Sequence, residues 1–240
     1  MLDRNNPKTL YQQLKDILLE DIESGKLEPS ERIPSENELS DTYGVSRMTA
    51  RSVLVDLTRE GRLYRVPGKG TFVAEKIVAS STAYVDIRDQ LEQKGYEVRT
   101  KMVSCGIEQC GETVAKHLGI RPLDNVFKIR RIRWAKDFPI SIHTSYIAPK
   151  YSQSLTPELL EQEQLCVLLN RCCGLQRKRV VETLESVGAS EEESSLLEVP
   201  KGHPLLLLKD VIYGGDDKPY EYTKVIFRGD KLKLQLTFEE

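Results

Sequence analysis

Two sets of arginines in this chain have a spacing that chemistry can use. Arg47 and Arg51 stand four residues apart with Thr49 between them, and on an α-helix that separation puts both guanidiniums on one side, one turn apart. Such a pair can chelate the O6 and N7 of guanine in a major groove, or clamp a phosphate. Further along, Arg131 and Arg133 lie in a β-rich run, Val126 to Trp134. Counted by twos they share a strand face with Phe127 and Ile129, while Lys128 and Arg130 go with Val126 and Ile132. Two arginines that continue an apolar face are expensive to bury without an anion. A carboxylate or phosphate on a small ligand supplies one; internal salt bridges or plain surface exposure are the alternatives.

The elements that must position the first set can be read from their ends. Ser35 with Glu38 three residues on is a capping box, which starts a helix that Leu39 and Tyr43 make amphipathic and Gly44 closes. Ser46 caps the next helix, in which Ala50, Val53, Leu54 and Leu57 form one buried stripe at i, i+3, i+4 and i+7. Met48, Arg51, Ser52 and Val55 fall on its opposite side, so this is the expected recognition helix. Beyond Gly61 the chain alternates through Leu63 to Val66, breaks at Pro67-Gly68-Lys69-Gly70 and resumes at Thr71, Phe72 and Val73, a hairpin. Its tip offers bare backbone N–H groups and Lys69 to a phosphate. Upstream, Thr9 opens a helix with the inward stripe Leu10, Leu14, Ile17, Leu18 and Ile22, and a loop through Arg32 leaves that arginine in reach of a phosphate.

The run PSE, EL, YGVSR, TAR, EG and GKGTFV resembles the N-terminal winged helix-turn-helix domain of the GntR family of bacterial transcription regulators. The resemblance implies that Arg47, Thr49, Arg51 and Gly68 contact DNA. Arg32, the capping residues Ser35 and Ser46, and Lys69 complete the expected DNA-binding set. Asn37 stands where some subfamilies carry a DNA-contacting arginine.

The whole chain has a net charge of −2 over 240 residues, with 39% hydrophobic and 30% charged. Its charge is unevenly placed. Six basic residues (Arg47, Arg51, Arg59, Arg62, Arg65, Lys69) face two acidic ones (Asp56, Glu60) between Arg47 and Lys69, a net of +4, whereas Met1 to Ser46 nets −5. A DNA-binding domain need be basic only where it meets phosphate. No apolar run approaches the ~20 residues of a membrane helix, and the opening residues do not resemble a signal peptide, so a cytoplasmic protein without a membrane partner is expected. The five cysteines (Cys105, Cys110, Cys166, Cys172, Cys173) form no C-x-x-C pair and no cluster with His at zinc spacing. They are expected to be reduced, with a redox role for the adjacent Cys172 and Cys173 left open. No metal or cofactor is expected.

Residues 1–75 are therefore assigned to the winged helix-turn-helix domain, 76–81 to a linker, and 82–240 to a second domain opening with a helix from about Ala83 to Lys94. Its strands are expected at Val98 to Ser104, Val126 to Trp134, Ile140 to Ile147, Val180 to Val187, Leu205 to Tyr213 and Tyr220 to Phe227. Helices fall near Glu112 to Leu118, Pro157 to Gln162, Leu165 to Cys173 and Glu191 to Leu197. Short strand-to-strand loops imply one mostly antiparallel sheet, so the chain is α+β.

The order of Leu91, Gly95, the IRRIR run from Ile129, Pro139-Ile140, Ser145-Tyr146, Pro219 to Tyr222 and Arg228-Gly229-Asp230 resembles the UTRA effector-binding domain of the HutC subfamily, similar in fold to chorismate lyase. The resemblance implies that Arg131 and Arg133 line an effector pocket, joined by the Ser81-Thr82 turn, whose backbone N–H groups suit an anion, and by Glu221 and Phe227. His143 stands where amino-sugar-phosphate binders have an acidic residue, and Gln164 where many have a serine that helps hold phosphate; both departures argue against a simple amino-sugar phosphate. The expected protein is a homodimeric repressor that binds an inverted-repeat operator in double-stranded DNA and senses a small anionic metabolite. No nucleophile–base pair or carboxylate dyad supports enzyme activity, and fold likeness to a lyase does not carry it. A lyase-like enzyme and a ligand-independent DNA binder are the alternatives.

Overall fold

The computed structural model describes residues 2–4, 6–74, 77–80, 87–93, 95–135 and 137–235, with only the backbone path for 77–80. Ser81, Thr82 and the expected helix start at Ala83 lie outside the described residues. The chain divides into two units, Met1–Ile77 and Val78–Glu240.

The first unit packs helices α1 (Leu10–Glu23), α2 (Glu36–Tyr43) and α3 (Arg47–Arg59) against the hairpin of β1 (Leu63–Val66) and β2 (Gly70–Val73). Ser35 and Glu38 close the reciprocal box on α2, Gly44 ends it in the left-handed conformation (φ 66°), and the Ser46 hydroxyl caps α3 by accepting from the Thr49 backbone N–H. The α3 stripe joins Leu14, Leu18, Ile33, Leu39, Leu63 and Val73 in one core. The stretch expected as a loop before α2 is more ordered than that. Ser30 and Ile33 donate backbone bonds to Val73 and Thr71 at 2.9 Å, and Val73 donates to Glu31 at 2.9 Å, so the segment lies against β2 through an isolated antiparallel bridge, Arg32↔Phe72.

The division between the units falls at the start of β3 (Ile77–Ser80), where the sequence suggested only a linker. The β-branched pair Ile77-Val78 suits a strand. Next come α4 (Ile87–Gln93), β4 (Val98–Gln109), α5 (Glu112–Leu118), β5 (Asn125–Ala135) and β6 (Phe138–Ile147), then α6 (Pro157–Gln162), α7 (Leu165–Cys173), β7 (Arg179–Gly188) and α8 (Glu191–Leu197), and finally β8 (Pro204–Tyr213), β9 (Pro219–Arg228) and β10 (Leu232–Gln235). Strand β10 partners β3. The other six strands form one antiparallel sheet in the order β4-β5-β6-β9-β8-β7. Strand β4 runs five residues past the expected Ser104, because a bulge at Val103 keeps it in register with β5 through Gln109↔Asn125. One sheet face packs on α6 and α7 through Ile129, Ile147, Leu160, Leu165 and Leu168. The other carries α5 against Val126, Val211 and Tyr222, and α8 against Ile142 and Leu205.

Candidate functional site

On the first unit the outward side of α3 leaves Arg47, Met48, Arg51, Ser52 and Val55 exposed. Met48 is 68% and Val55 52% exposed, so apolar atoms stand in solvent between the two arginines and beyond them. Thr49 is half-buried, its hydroxyl 2.8 Å from that of Ser46, which stiffens the first turn of α3. At the wing tip Pro67 and Gly68 occupy the centre of a turn closed by Lys69 N–H donating to the Val66 carbonyl at 3.0 Å. Gly68 has φ 74°, the left-handed value that the third position of a type II turn requires. Arg32 extends across Gly70, whose missing Cβ would sit 2.9 Å from the arginine Nε. A concavity of about 370 Å³ between the start of α2, α3 and the wing is lined by Arg32, Ser35, Asn37, Val55, Arg65 and Thr71.

The basic residues of this unit fall into two groups. Arg59 pairs with Asp56 at 2.8 Å, and Arg62 with Glu23 at 3.1 Å. Asp56 also accepts from the Tyr11 hydroxyl, which holds its carboxyl below the usual range, and Lys15 takes Glu60 at 2.6 Å. Among the described residues, Arg32, Arg47, Arg51, Arg65 and Lys69 form no ion pair. The positive charge left for phosphate is therefore on α3's outer side and the wing.

In the second unit the sheet face under α4 and α7 is polar at its centre. Cross-strand register sets Arg131 opposite His143, Arg133 opposite Ser141, and Ile129 opposite Ser145, which pairs on with Thr223 and Asp210. A cavity of about 340 Å³ opens here, lined by Arg131, Arg133, His143, Gln164, Glu221 and, among others, Asp210. That volume is at the lower end of small-molecule sites. Arg131 is 4% and Arg133 3% exposed, so both guanidiniums are buried in this face. Arg131 donates to the Leu160 carbonyl at 3.0 Å. A hydrogen-bonded chain runs from Ser145 to Thr223 (2.8 Å) and from the Thr223 hydroxyl to the Glu221 carboxylate (2.7 Å). Burial pushes the Glu221 carboxyl up, opposed by those hydroxyls and by the field of Arg131 and Arg177.

Of the expected effector residues, the structure brings Arg131, Arg133, His143, Gln164 and Glu221 to one cavity. Gln164 is the N-cap of α7, and its amide donates to Asp89 of α4, which also lines the cavity. Phe227 is placed differently. Fully buried among Ile87, Leu208, Val225 and Leu232, its ring offers no open face, and it meets His143 edge-on at 6.2 Å. It supports His143 rather than forming a stacking platform. Ser81 and Thr82 are outside the described residues.

Asp210 is a cavity residue that the sequence reading passed over. It is 9% exposed, and its Oδ1 has no hydrogen-bond partner among the described residues. Burial pushes its carboxyl up to about 7, helped by Glu182 and Glu221 and opposed by Arg177. The signal was available: it is the one acid in a strand that begins Leu205-Leu206-Leu207-Leu208 and is apolar but for Lys209 and Asp210. Arg177 precedes β7 with no strand pattern around it, and its place on the wall follows from tertiary packing alone.

A winged helix with unpaired arginines on its outer helix, followed in the chain by a sheet domain enclosing a charged cavity, is the build of a ligand-responsive DNA-binding regulator. Family comparison agrees. Residues 10–73 match the family of bacterial regulatory proteins, gntR family, and residues 93–233 match the UTRA domain. The chain belongs to the GntR family, in the HutC-type branch that carries a UTRA domain. It is 30% identical over 231 residues to the HTH-type transcriptional repressor NagR of Bacillus subtilis, covering 96% of this chain and 95% of that one. It is 32% identical over 214 residues to a histidine utilization repressor of Pseudomonas aeruginosa, covering 87% and 83%. The crystal structure of PhnF from Mycobacterium smegmatis shares the fold with a TM-score of 0.61 at 22% identity, covering 94% of this chain and 99% of that one. These relatives are transcription regulators rather than enzymes. No helix among the described residues is long and apolar enough to cross a membrane.

Proposed function

We propose that two copies of this chain bind an inverted-repeat operator in double-stranded DNA and repress a catabolic or transport operon until a small anionic metabolite fills the cavity of the second unit. The observation that carries this reading is the contrast between unpaired arginines on α3 and the wing and buried arginines around a cavity on the second unit's sheet. In the major groove Arg47 and Arg51 face base edges or phosphate, Met48 and Val55 are placed for thymine methyls, and Lys69 and Arg65 take the flanking backbone. Two such units on a dimer meet half-sites about one helical turn or a multiple apart. Relatives named as repressors of histidine utilization and of mannosyl-D-glycerate transport and metabolism support a catabolic or transport operon as the target. A coupling of ~1–3 kcal/mol between cavity and operator is enough to change promoter occupancy several-fold.

Footprinting on DNA upstream of the chain's own gene cluster tests the reading. A protected inverted repeat that is released when a metabolite binds the parent protein, and is retained when the same metabolite meets Arg133→Ala, is the expected result. Protection that no cavity substitution alters, with any metabolite that binds, overturns it.

A further inference from the structure

The sheet of the second unit has a second charged face. On the side away from the cavity, α5 packs over Tyr222 and Tyr146, and α8 over Ile226 and Ile142. Lys224 lies midway between Tyr222 and Ile226 on β9. The register sets Lys209 of β8 on one side of it and Thr144 of β6 on the other, with Arg130 of β5 next to Thr144. These four residues make one row across four strands, about 14 Å from end to end between backbones. Lys128, two residues before Arg130 and on the same face, pairs with Tyr146 across the strands.

Three of the four cations on this tray have an acid from its edge. Arg130 meets Glu192 of α8, Lys209 meets Glu185 of β7 at 2.6 Å, and Lys128 meets Glu108 of β4 at 3.2 Å. In each pair the acid is the more exposed partner; the Glu192 side chain is 65% exposed where that of Arg130 is 15%. The carboxylates can therefore turn out into water, whereas the cations are anchored in the floor. Lys224 has no ion pair among the described residues, and its Nζ rests 5.8 Å from the Tyr222 ring centroid. Burial, and then the fields of Lys209 and Lys128, push its ammonium below the usual lysine range. On the same face the Arg130 Nε and the Tyr222 hydroxyl are enclosed without a hydrogen-bond partner among the described residues. Half-buried cations, loosely held acids and unmet donors make a surface short of negative charge.

We propose that this tray is a second binding site of the chain, for a small molecule carrying two or more linked phosphates, held by Lys224, Lys209, Arg130 and Lys128 with the rim carboxylates turned aside. The site is independent of the reading of the cavity as the effector site. A single carboxylate reaches one cation and its neighbour, and each rim acid already does as much. A chain of phosphates brings several charges to cations about 5 and 10 Å apart along the row, and it competes with acids whose exposed ion pairs contribute little. The Thr144 hydroxyl, between Arg130 and Lys224, is a further donor. Alternation places the row back to back with the cavity: Arg130 precedes Arg131, His143 precedes Thr144, Thr223 precedes Lys224, and Lys209 precedes Asp210. A ligand on the tray thus spans the same four strands whose other face lines the cavity.

The test is calorimetric titration of the full-length chain with sodium tripolyphosphate, against orthophosphate at equal ionic strength and without divalent cations. Tripolyphosphate is expected to bind about tenfold or more tightly than orthophosphate, and Lys224→Met, which keeps the apolar stem, should weaken it by about tenfold, the size of one charge-assisted hydrogen bond. Glu192→Gln removes a competing carboxylate and should tighten binding several-fold, a gain that a misfolded variant cannot mimic. Arg51→Ala and Arg133→Ala, on the recognition helix and in the cavity, should leave it unchanged. No difference between the two anions, parent-like binding by Lys224→Met, or no gain in Glu192→Gln overturns the inference. So does loss in Arg51→Ala or Arg133→Ala while Lys224→Met binds normally, which assigns the anion to the DNA-binding surface or to the cavity.

Discussion

Arg51 and Arg133 are the same residue on regular elements of one chain, and their surroundings are opposite. Arg51 projects from a helix into solvent with no ion pair among the described residues. Arg133 is 3% exposed on β5, the second strand of a six-stranded sheet. An exposed guanidinium contributes almost nothing to folding, so it can be reserved for a partner that arrives later, and phosphate or guanine is strong enough to order it. A buried guanidinium must be compensated by the fold itself, through carbonyls and carboxylates such as those that surround Arg131 and Glu221. In the first unit, recognition is therefore separable from stability. In the second, the two use the same side chains.

The largest expected effect lies on the buried side. Arg133→Ala should weaken effector binding by ~2–5 kcal/mol, the range for removing one member of a desolvated charge pair. It should also lower the melting temperature, because the packing of a side chain only 3% exposed is lost. A variant that loses ligand and keeps its full melting temperature would break the comparison at its strongest point.

Asp210→Asn sharpens it next. In the folded chain Asp210 titrates at about 7, against 3.8 in the unfolded chain. Between those values the native state holds the proton more tightly than the unfolded state does. This contribution to stability is therefore complete below about pH 4, declines as pH rises, and is lost above about 7. The asparagine variant lacks that decline. In denaturant titrations it should match the parent at pH 4.5 more nearly than at pH 8, where it should be the more stable by roughly 2–4 kcal/mol. Parallel stability profiles for the two proteins would show that Asp210 is not held in the way described.

How much of this could be read beforehand also differs between the two units. The capping box of α2, the Ser46 cap and apolar stripe of α3 and the Pro-Gly turn are local, encoded within one turn or one hairpin, and the winged helix was legible nearly residue by residue. In the second domain the strand runs and their antiparallel order were legible because alternation and short loops are local too. The cavity's composition was legible only in part. Arg131 and Arg133 stood out as charges within an apolar run, Glu221 was implied by the resemblance to UTRA domains, and Asp210 carried the signal of the arginines unrecognised. Arg177 and Asp89 reach the wall from elements whose docking depends on contacts distant in sequence. Phe227 had the right parity for the pocket face, but α4 covers that part of the sheet through Ile87. Strand β3 and the bridge that the Ser30 to Ile33 segment makes to β2 depend on partners elsewhere in the chain, which propensity over four residues cannot supply.

On the exposed side the effects are smaller and confined to DNA. Arg51→Ala should weaken operator binding by ~1–3 kcal/mol if its guanidinium chelates a base, with an unchanged melting temperature. A gel-shift titration reads the first and a thermal melt the second. Loss of stability comparable to the loss of affinity would mean that Arg51 supports the fold, and the contrast with Arg133 would disappear.

The smallest effects separate arginines within the wing domain. Arg65 and Arg59 are both exposed and both lie in the basic stretch, but Arg59 already meets Asp56, while Arg65 has no ion pair among the described residues and lines the concavity beside the wing. A cation that contacts phosphate releases about one counterion, so Arg65→Ala should lower the slope of log affinity against log salt by about one. Arg59→Ala should leave that slope unchanged and alter stability by less than ~0.5 kcal/mol, since an exposed i,i+3 pair is worth little. If both substitutions lower the slope equally, the internal pairs do not withhold charge from DNA, and the net count of basic residues would predict binding as well as the structure does. If only Arg65→Ala does, the placement of acidic partners on α1 and α3 is what aims the positive field of an acidic protein at one face.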